Sequence, residues 1–165
     1  MGNGCDHEHN HAALAQGAII HALDVAEGRC VAEGERMTGP RRRVLELLLQ
    51  SGDPVKAYDL IARYGEDGQA AKPPTVYRAL EFLERKGLAH RIASISAYVA
   101  CTAGADAEGK SHAAAFLICD CCGATEEVVP PVGQTFALAA DAAGYAIERT
   151  PIEGHGRCPA CRASA

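Results

Sequence analysis

Cys119-Asp120-Cys121-Cys122-Gly123 and Cys158-Pro159-Ala160-Cys161 carry two Cys-x-x-Cys pairs with 35 residues between them. Each pair can turn two thiolates toward one ion at roughly 2.3 Å, and two pairs complete the tetrahedral four-sulfur shell that holds structural zinc. A small residue such as Gly123 lets nearby backbone N–H groups turn toward the sulfurs. A closed shell leaves no position for a substrate, so the task expected of Cys119, Cys122, Cys158 and Cys161 is to staple a fold. Two disulfides or a redox Cys-x-x-Cys are the other uses of such pairs. The way the two pairs complete each other, without a thioredoxin-like βαβ context, favours the metal. Cys121 is out of frame with both pairs, and Cys5 and Cys30 have no evident partner in the sequence.

The elements that must position these cysteines follow from pattern. Ala114 to Ile118 and Glu126 to Val129 read as strands around the first pair, Val132 to Ala143 as an amphipathic helix, and Tyr145 to Ile152 as a strand running into the second pair. This is a small α+β domain over residues 113–165. Its two or three strands leave open edges, which pairing with a second copy would close, so a homodimer is expected.

The preceding region has a different texture. Ala12 to about Val31 is Ala-rich, with Leu14, Ile19, Leu23 and Val25 near helical spacing. Thr38 can cap a second helix with Pro40 and Arg41 in its first turn, apolar at Val44, Leu45, Leu47, Leu48 and Leu49, and Gly52-Asp53-Pro54 ends it. A third helix spans about Ala57 to Tyr64. A fourth runs through Lys72-Pro73-Pro74-Thr75-Val76-Tyr77-Arg78-Ala79-Leu80-Glu81-Phe82-Leu83-Glu84-Arg85-Lys86-Gly87, with Pro at its entry and Gly at its exit. Val76, Leu80 and Leu83 form its buried stripe and leave Tyr77, Arg78, Glu81 and Arg85 on other faces. With alternating stretches at Leu88 to Ile92 and Ala97 to Cys101, residues 12–101 read as a winged helix-turn-helix, which sets its final helix in the major groove of DNA. Residues 102–112 are the hinge and residues 1–11 a His-containing, disordered tail, whose His7, His9 and His11 either capture metal weakly or are incidental.

Charge agrees with that division. The chain carries a net −5, yet residues 36 to 91 hold eleven Lys/Arg against seven Asp/Glu, while residues 1 to 35 sum to −5 and residues 92 to 165 to −4. A basic middle between acidic ends places nucleic acid at the helical segment, a solvated face being the other reading. No stretch of 18 apolar residues and no signal-peptide pattern is present, so a soluble cytoplasmic protein with reduced, metal-serving thiols is expected. No His-Glu-x-x-His helix or open metal position suggests catalysis.

Lys72-Pro73-Pro74-Thr75-Val76-Tyr77-Arg78-Ala79-Leu80, then Tyr98-Val99-Ala100-Cys101, then Phe116-Leu117-Ile118-Cys119 with Cys122-Gly123 closely resemble the ferric uptake regulator superfamily, from about Arg36 to Cys161. The resemblance implies a homodimeric repressor that binds a palindromic double-stranded operator when metal-loaded. It also implies a second, sensory site made of His90, Cys101, His112 and Glu127. One thiolate, two imidazoles and one carboxylate suit zinc better than a hard, oxygen-preferring ion. Taken singly, each of these four also has an ordinary structural use in strand, core or loop. Two zinc ions per protomer follow, one structural and one regulatory; no membrane and no small organic substrate is implied.

For DNA, the resemblance nominates Tyr58 and Arg41, with Thr75, Tyr77 and Arg78 on the fourth helix. Arg78 can donate to guanine O6 and N7, and Arg42 and Arg43 can add to the phosphate-facing charge. Core packing is the other use of Tyr58 and Tyr77. Iron- and peroxide-sensing relatives carry a His-His-x-His cluster where this chain reads Gly109-Lys110-Ser111-His112-Ala113. A further cluster member is missing from Glu148-Arg149-Thr150-Pro151. Both departures favour a zinc-responsive repressor of zinc-uptake genes over an iron- or manganese-responsive regulator. A zinc-carrying chaperone would explain the ligands but not the helix. His155 is a possible extra ligand, with a structural role preferred.

Overall fold

The computed structural model describes residues 14–65, 72–101, 115–128, 132–147 and 150–163, which fall into two units, 14–101 and 115–163. The tail histidines His7, His9 and His11, the whole of the expected hinge over 102–112 including His112, and Glu148 and Arg149 lie outside the described residues.

The first unit opens with α1 (Gln16–Ala32), whose buried Ile19, Leu23, Ala26 and Cys30 recur every three or four residues as a helical stripe. In α2 (Gly39–Ser51) Thr38 occupies the cap position, but its side chain makes no capping hydrogen bond. Its carbonyl instead accepts from the Arg42 N–H at 2.9 Å, and Pro40 brings no N–H that needs a partner. Gly52 ends the helix at φ +67°, a conformation that costs glycine little. A two-residue strand, β1 (Val55–Lys56), then leads into α3 (Ala57–Tyr64). It was not anticipated, because two residues are too few to show a period.

Helix α4 (Pro73–Arg85) buries Val76, Ala79, Leu80, Phe82 and Leu83. It closes with a Schellman turn: the Leu88 N–H reaches the Leu83 carbonyl at 2.8 Å, the Gly87 N–H reaches Glu84 at 3.1 Å, and Gly87 sits at φ +64°. The chain therefore passes from helix into β2 (Ala89–Ile92) with no slack. It returns in β3 (Ala97–Ala100), and the antiparallel sheet has the order β1-β3-β2. Three helices with a hairpin behind them are the expected winged helix-turn-helix.

Leu47, Leu48, Leu60, Val76, Leu80 and Leu83 form the centre of this unit at 2% exposure or less. Leu48→Ala is expected to cost about 2–5 kcal/mol, because the vacated volume lies where close-packed helices cannot collapse into it. The midpoint of denaturant unfolding, followed by far-UV circular dichroism, checks this.

The second unit is built on β4 (Ala115–Cys119), the centre of a sheet ordered β5-β4-β6. β5 (Thr125–Val128) is antiparallel to it, whereas β6 (Ile152–Gly156) is parallel. A parallel neighbour requires a crossover, and α5 (Val132–Ala142) lies in that connection. The last strand corrects the sequence reading. The strand expected over Tyr145–Ile152 starts at Ile152 and runs to Gly156, and Tyr145–Ile147 has no strand structure. Gly154 and Gly156 disguise it as a loop, yet Gly154 is where Leu117 packs: a Cβ there would lie 3.3 Å from Leu117 Cδ2. A short α6 (Pro159–Ala163), also unanticipated, carries Cys161. Among the described residues, no helix is long and apolar enough to cross a membrane.

Candidate metal centre and nucleic-acid interface

Strand β4 ends on Cys119, and the turn after it carries Cys122. Gly123 at φ +78° donates its N–H to the Cys119 carbonyl at 2.9 Å, which folds the turn back beneath the sulfurs. Cys158 lies between β6 and α6, and Cys161 lies in α6 itself. The four sulfurs all lie within 4.8 Å of one another. Cys122 Sγ and Cys158 Sγ are 3.8 Å apart. A tetrahedral site with roughly 2.3 Å metal–sulfur bonds has edges of about 3.8 Å, whereas a disulfide needs about 2.05 Å. All four are free thiols, which removes the disulfide reading, and the donor set fits zinc.

The surroundings prepare these thiols for a cation. The Cys158 N–H points at Cys119 Sγ at 3.3 Å, and the Cys161 N–H at Cys158 Sγ at 3.4 Å. Backbone N–H groups, that of Cys158 foremost and Cys122 next, bring the Cys119 thiol down to about 6. Burial, then the neighbouring sulfurs, push Cys161 up to about 12. The thiols oppose one another's ionisation, and a dication would relieve that opposition. Cys121 is outside the set. So is His155, whose Nδ1 lies 2.9 Å from Asp120 Oδ1.

Of the expected sensory ligands, the first unit brings two together. His90 sits on β2 opposite Val99, and Cys101 directly follows β3, its N–H bonded to the Leu88 carbonyl at 3.0 Å. Both are half-buried, and their ligand atoms lie within 4.8 Å of each other. In the second unit Glu127 stands on β5 opposite Phe116, also half-buried.

The DNA-facing candidates separate by exposure. Tyr58 on α3 is 78% exposed and Tyr77 on α4 is 51% exposed, so neither is a core residue. Arg78 is exposed beside Tyr77, and Thr75 is half-buried one turn earlier. Arg41 is committed within the unit, its guanidinium 3.5 Å from the Phe82 ring centroid and donating to the Arg36 carbonyl. Arg42 bridges Asp24 at 3.2 Å and Glu27 at 3.1 Å, and Arg43 pairs with Glu46 at 3.0 Å. Their charge is thus largely answered by acidic neighbours on α1 and α2, which reduces what the Arg41-Arg42-Arg43 run offers to phosphate. Sequence reading could not foresee this, because Asp24 and Glu27 lie well away along the chain.

A profile of the ferric uptake regulator family matches residues 32–154. The chain is 39% identical over 140 residues to the zinc uptake regulation protein of Escherichia coli (strain K12), a match covering 84% of this chain and 80% of that one. Similarity to the ferric uptake regulation protein of Brucella abortus biovar 1 (strain 9-941) is confined to 58 residues, 37% identical, or 35% of this chain and 41% of that one. Among solved structures, a zinc uptake regulator complexed with zinc and DNA superposes with a TM-score of 0.78 at 37% identity, over 88% of this chain and 96% of that one.

Proposed function

This chain belongs to the ferric uptake regulator family, and we propose from that premise that it is a zinc-responsive transcriptional repressor, binding palindromic operators of zinc-uptake genes as a zinc-loaded homodimer. The observation that carries the zinc assignment is the similarity to a zinc uptake regulation protein over 84% of the chain, where the iron-regulator match covers 35%. The exposed Tyr77-Arg78 pair on the last helix of a winged-helix unit supports the DNA half of the reading.

In this reading Cys119, Cys122, Cys158 and Cys161 hold a permanent structural zinc. His90, Cys101, His112 and Glu127 hold a second, exchangeable one. When bound, that second ion supplies nothing but a preference for the DNA-competent arrangement. The residues give that preference its leverage: His90 and Cys101 belong to the wing, His112 to the connecting segment, and Glu127 to the β5 strand. The donor set, with one soft thiolate, discriminates against ions that prefer oxygen. Dimerisation is supported by large apolar side chains on and after α5 that stand in solvent, Phe136 at 53%, Leu138 at 70% and Tyr145 at 71% exposure.

Arg78 and Tyr77 read the operator from α4, with Thr75 and Tyr58 at the backbone. Arg78→Ala is expected to weaken operator binding by about 1–3 kcal/mol and to relax preference at one guanine. Binding to a panel of single-base operator variants checks this. The reading as a whole is tested by titrating protein that keeps its tight zinc against a palindromic operator from a zinc-importer promoter. Free zinc is buffered, with iron and manganese as comparisons. Steep zinc-specific binding sustains it. Preference for iron or manganese makes the protein a different sensor of the same family, and no DNA binding with any metal makes it a zinc carrier.

A further inference from the structure

We infer that His155 and Asp120 form a clasp between the two halves of the four-cysteine site, with His155 the positioning residue that sets how slowly zinc leaves it. The inference rests on the reading of those cysteines as a zinc site and assigns a role that the four sulfurs do not cover.

The two halves come from separate strands. Parallel pairing of β4 with β6 ends at Cys119 opposite Gly156, and both chains then leave the sheet. Beyond that point the Asp120 N–H bonds the Gly156 carbonyl at 2.8 Å, and the Cys158 N–H reaches Cys119 Sγ at 3.3 Å. The side-chain link is His155 Nδ1 to Asp120 Oδ1 at 2.9 Å. A carboxylate only accepts, so Nδ1 carries the proton and donates it. Asp120 is thereby held twice, by backbone and by side chain, and it is the residue that leads into the turn carrying Cys122. The ring's Nε2 lies 4.0 Å from Glu153 Oε2, beyond hydrogen-bond reach, so the link to Asp120 is the ring's one short polar contact to a side chain among the described residues. Glu153 and His155 are alternate residues of β6 and share a face of the sheet.

With zinc held by the two cysteine pairs, losing the ion would require one pair to swing away from the other. While the halves stay apposed, a detached thiolate meets the ion again at high effective concentration and closes the shell. Outer contacts of this kind are worth about 10–100-fold in metal retention where they are buried and touch a ligand directly. This one acts one residue away from the ligand, and its side chains are 39% and 62% exposed, so about fivefold is expected.

The test uses the full-length zinc-loaded protein and reads zinc release into excess 4-(2-pyridylazo)resorcinol. The four-cysteine phase is identified as the one that persists in Cys101→Ser, which lacks the sensory thiolate. His155→Phe and Asp120→Ala should each speed that phase about fivefold. The double variant should be no faster than either, because both remove one contact. Asp120→Asn, which keeps an acceptor oxygen, should stay near the wild-type rate. Unchanged rates, or singles whose effects multiply in the double variant, overturn the clasp. If His155→Phe fails to fold, Asp120→Ala against Asp120→Asn decides the question at a side chain 62% exposed. A Cys101→Ser protein with no slow zinc-release phase overturns the zinc-site reading itself, and the clasp with it.

Discussion

Replacing Cys101 by serine is expected to lower zinc-dependent operator affinity about a hundredfold while leaving the protein folded and its tight zinc in place, a coupling of ~3 kcal/mol. The reason is chemical. Cys101 is the one thiolate among the nominated sensory ligands; a serine hydroxyl of nearly the same size stays protonated at neutral pH and binds zinc weakly. The fold should tolerate the change, because serine is nearly isosteric and keeps the backbone bond from residue 101 to the Leu88 carbonyl. Fluorescence anisotropy of a labelled operator under buffered zinc, with zinc content measured in parallel, separates the two sites. A serine variant that still needs zinc for tight binding would remove Cys101 from the sensor.

The second large effect concerns Cys158→Ser, which is expected to release the tight zinc and unfold residues 115–163 while sparing the winged helix. The buried apolar residues of the second unit, among those described, are Ala115, Phe116, Ile118, Cys119 and Cys161, and two of those five belong to the proposed zinc site. A core this small cannot offset the entropy of ordering its chain. Apparent zinc affinities of about 10–16 kcal/mol in small zinc modules show how much of the folding free energy such an ion carries. Hydrogen exchange gives the test: amides of β4, β5 and β6 should lose protection in the variant, and those of α2 and α4 should keep it. Retained protection in β4 would show that the unit folds without its metal.

What could be read without coordinates follows a physical division. Helices α2 and α4 were legible because apolar spacing, Pro at entry and Gly at exit all point the same way, α3 because its apolar spacing ends at Gly65, and Val76, Leu80 and Leu83 are buried as expected. The two cysteine pairs were legible because metal chemistry demands their spacing. Strand β6 was not, since Gly154 and Gly156 are poor strand formers and only the close approach of Leu117 shows why a glycine belongs there. The silencing of Arg42 by Asp24 and Glu27 was equally hidden, because it depends on how α1 lies against α2. Tertiary contact, not local preference, decided each of these.

The Schellman turn after α4 has a further meaning. Arg85 ends the helix, and only four residues separate it from His90, two of them pinned by the bonds to Glu84 and Leu83. In the proposed reading, detector and reader are therefore joined without a flexible linker that could absorb movement. A single residue inserted at this turn would leave Arg78 untouched yet break the bonds that tie β2 to the end of α4, giving His90 slack relative to the reading helix. Such a protein would still recognise its operator but would have gone deaf to the metal.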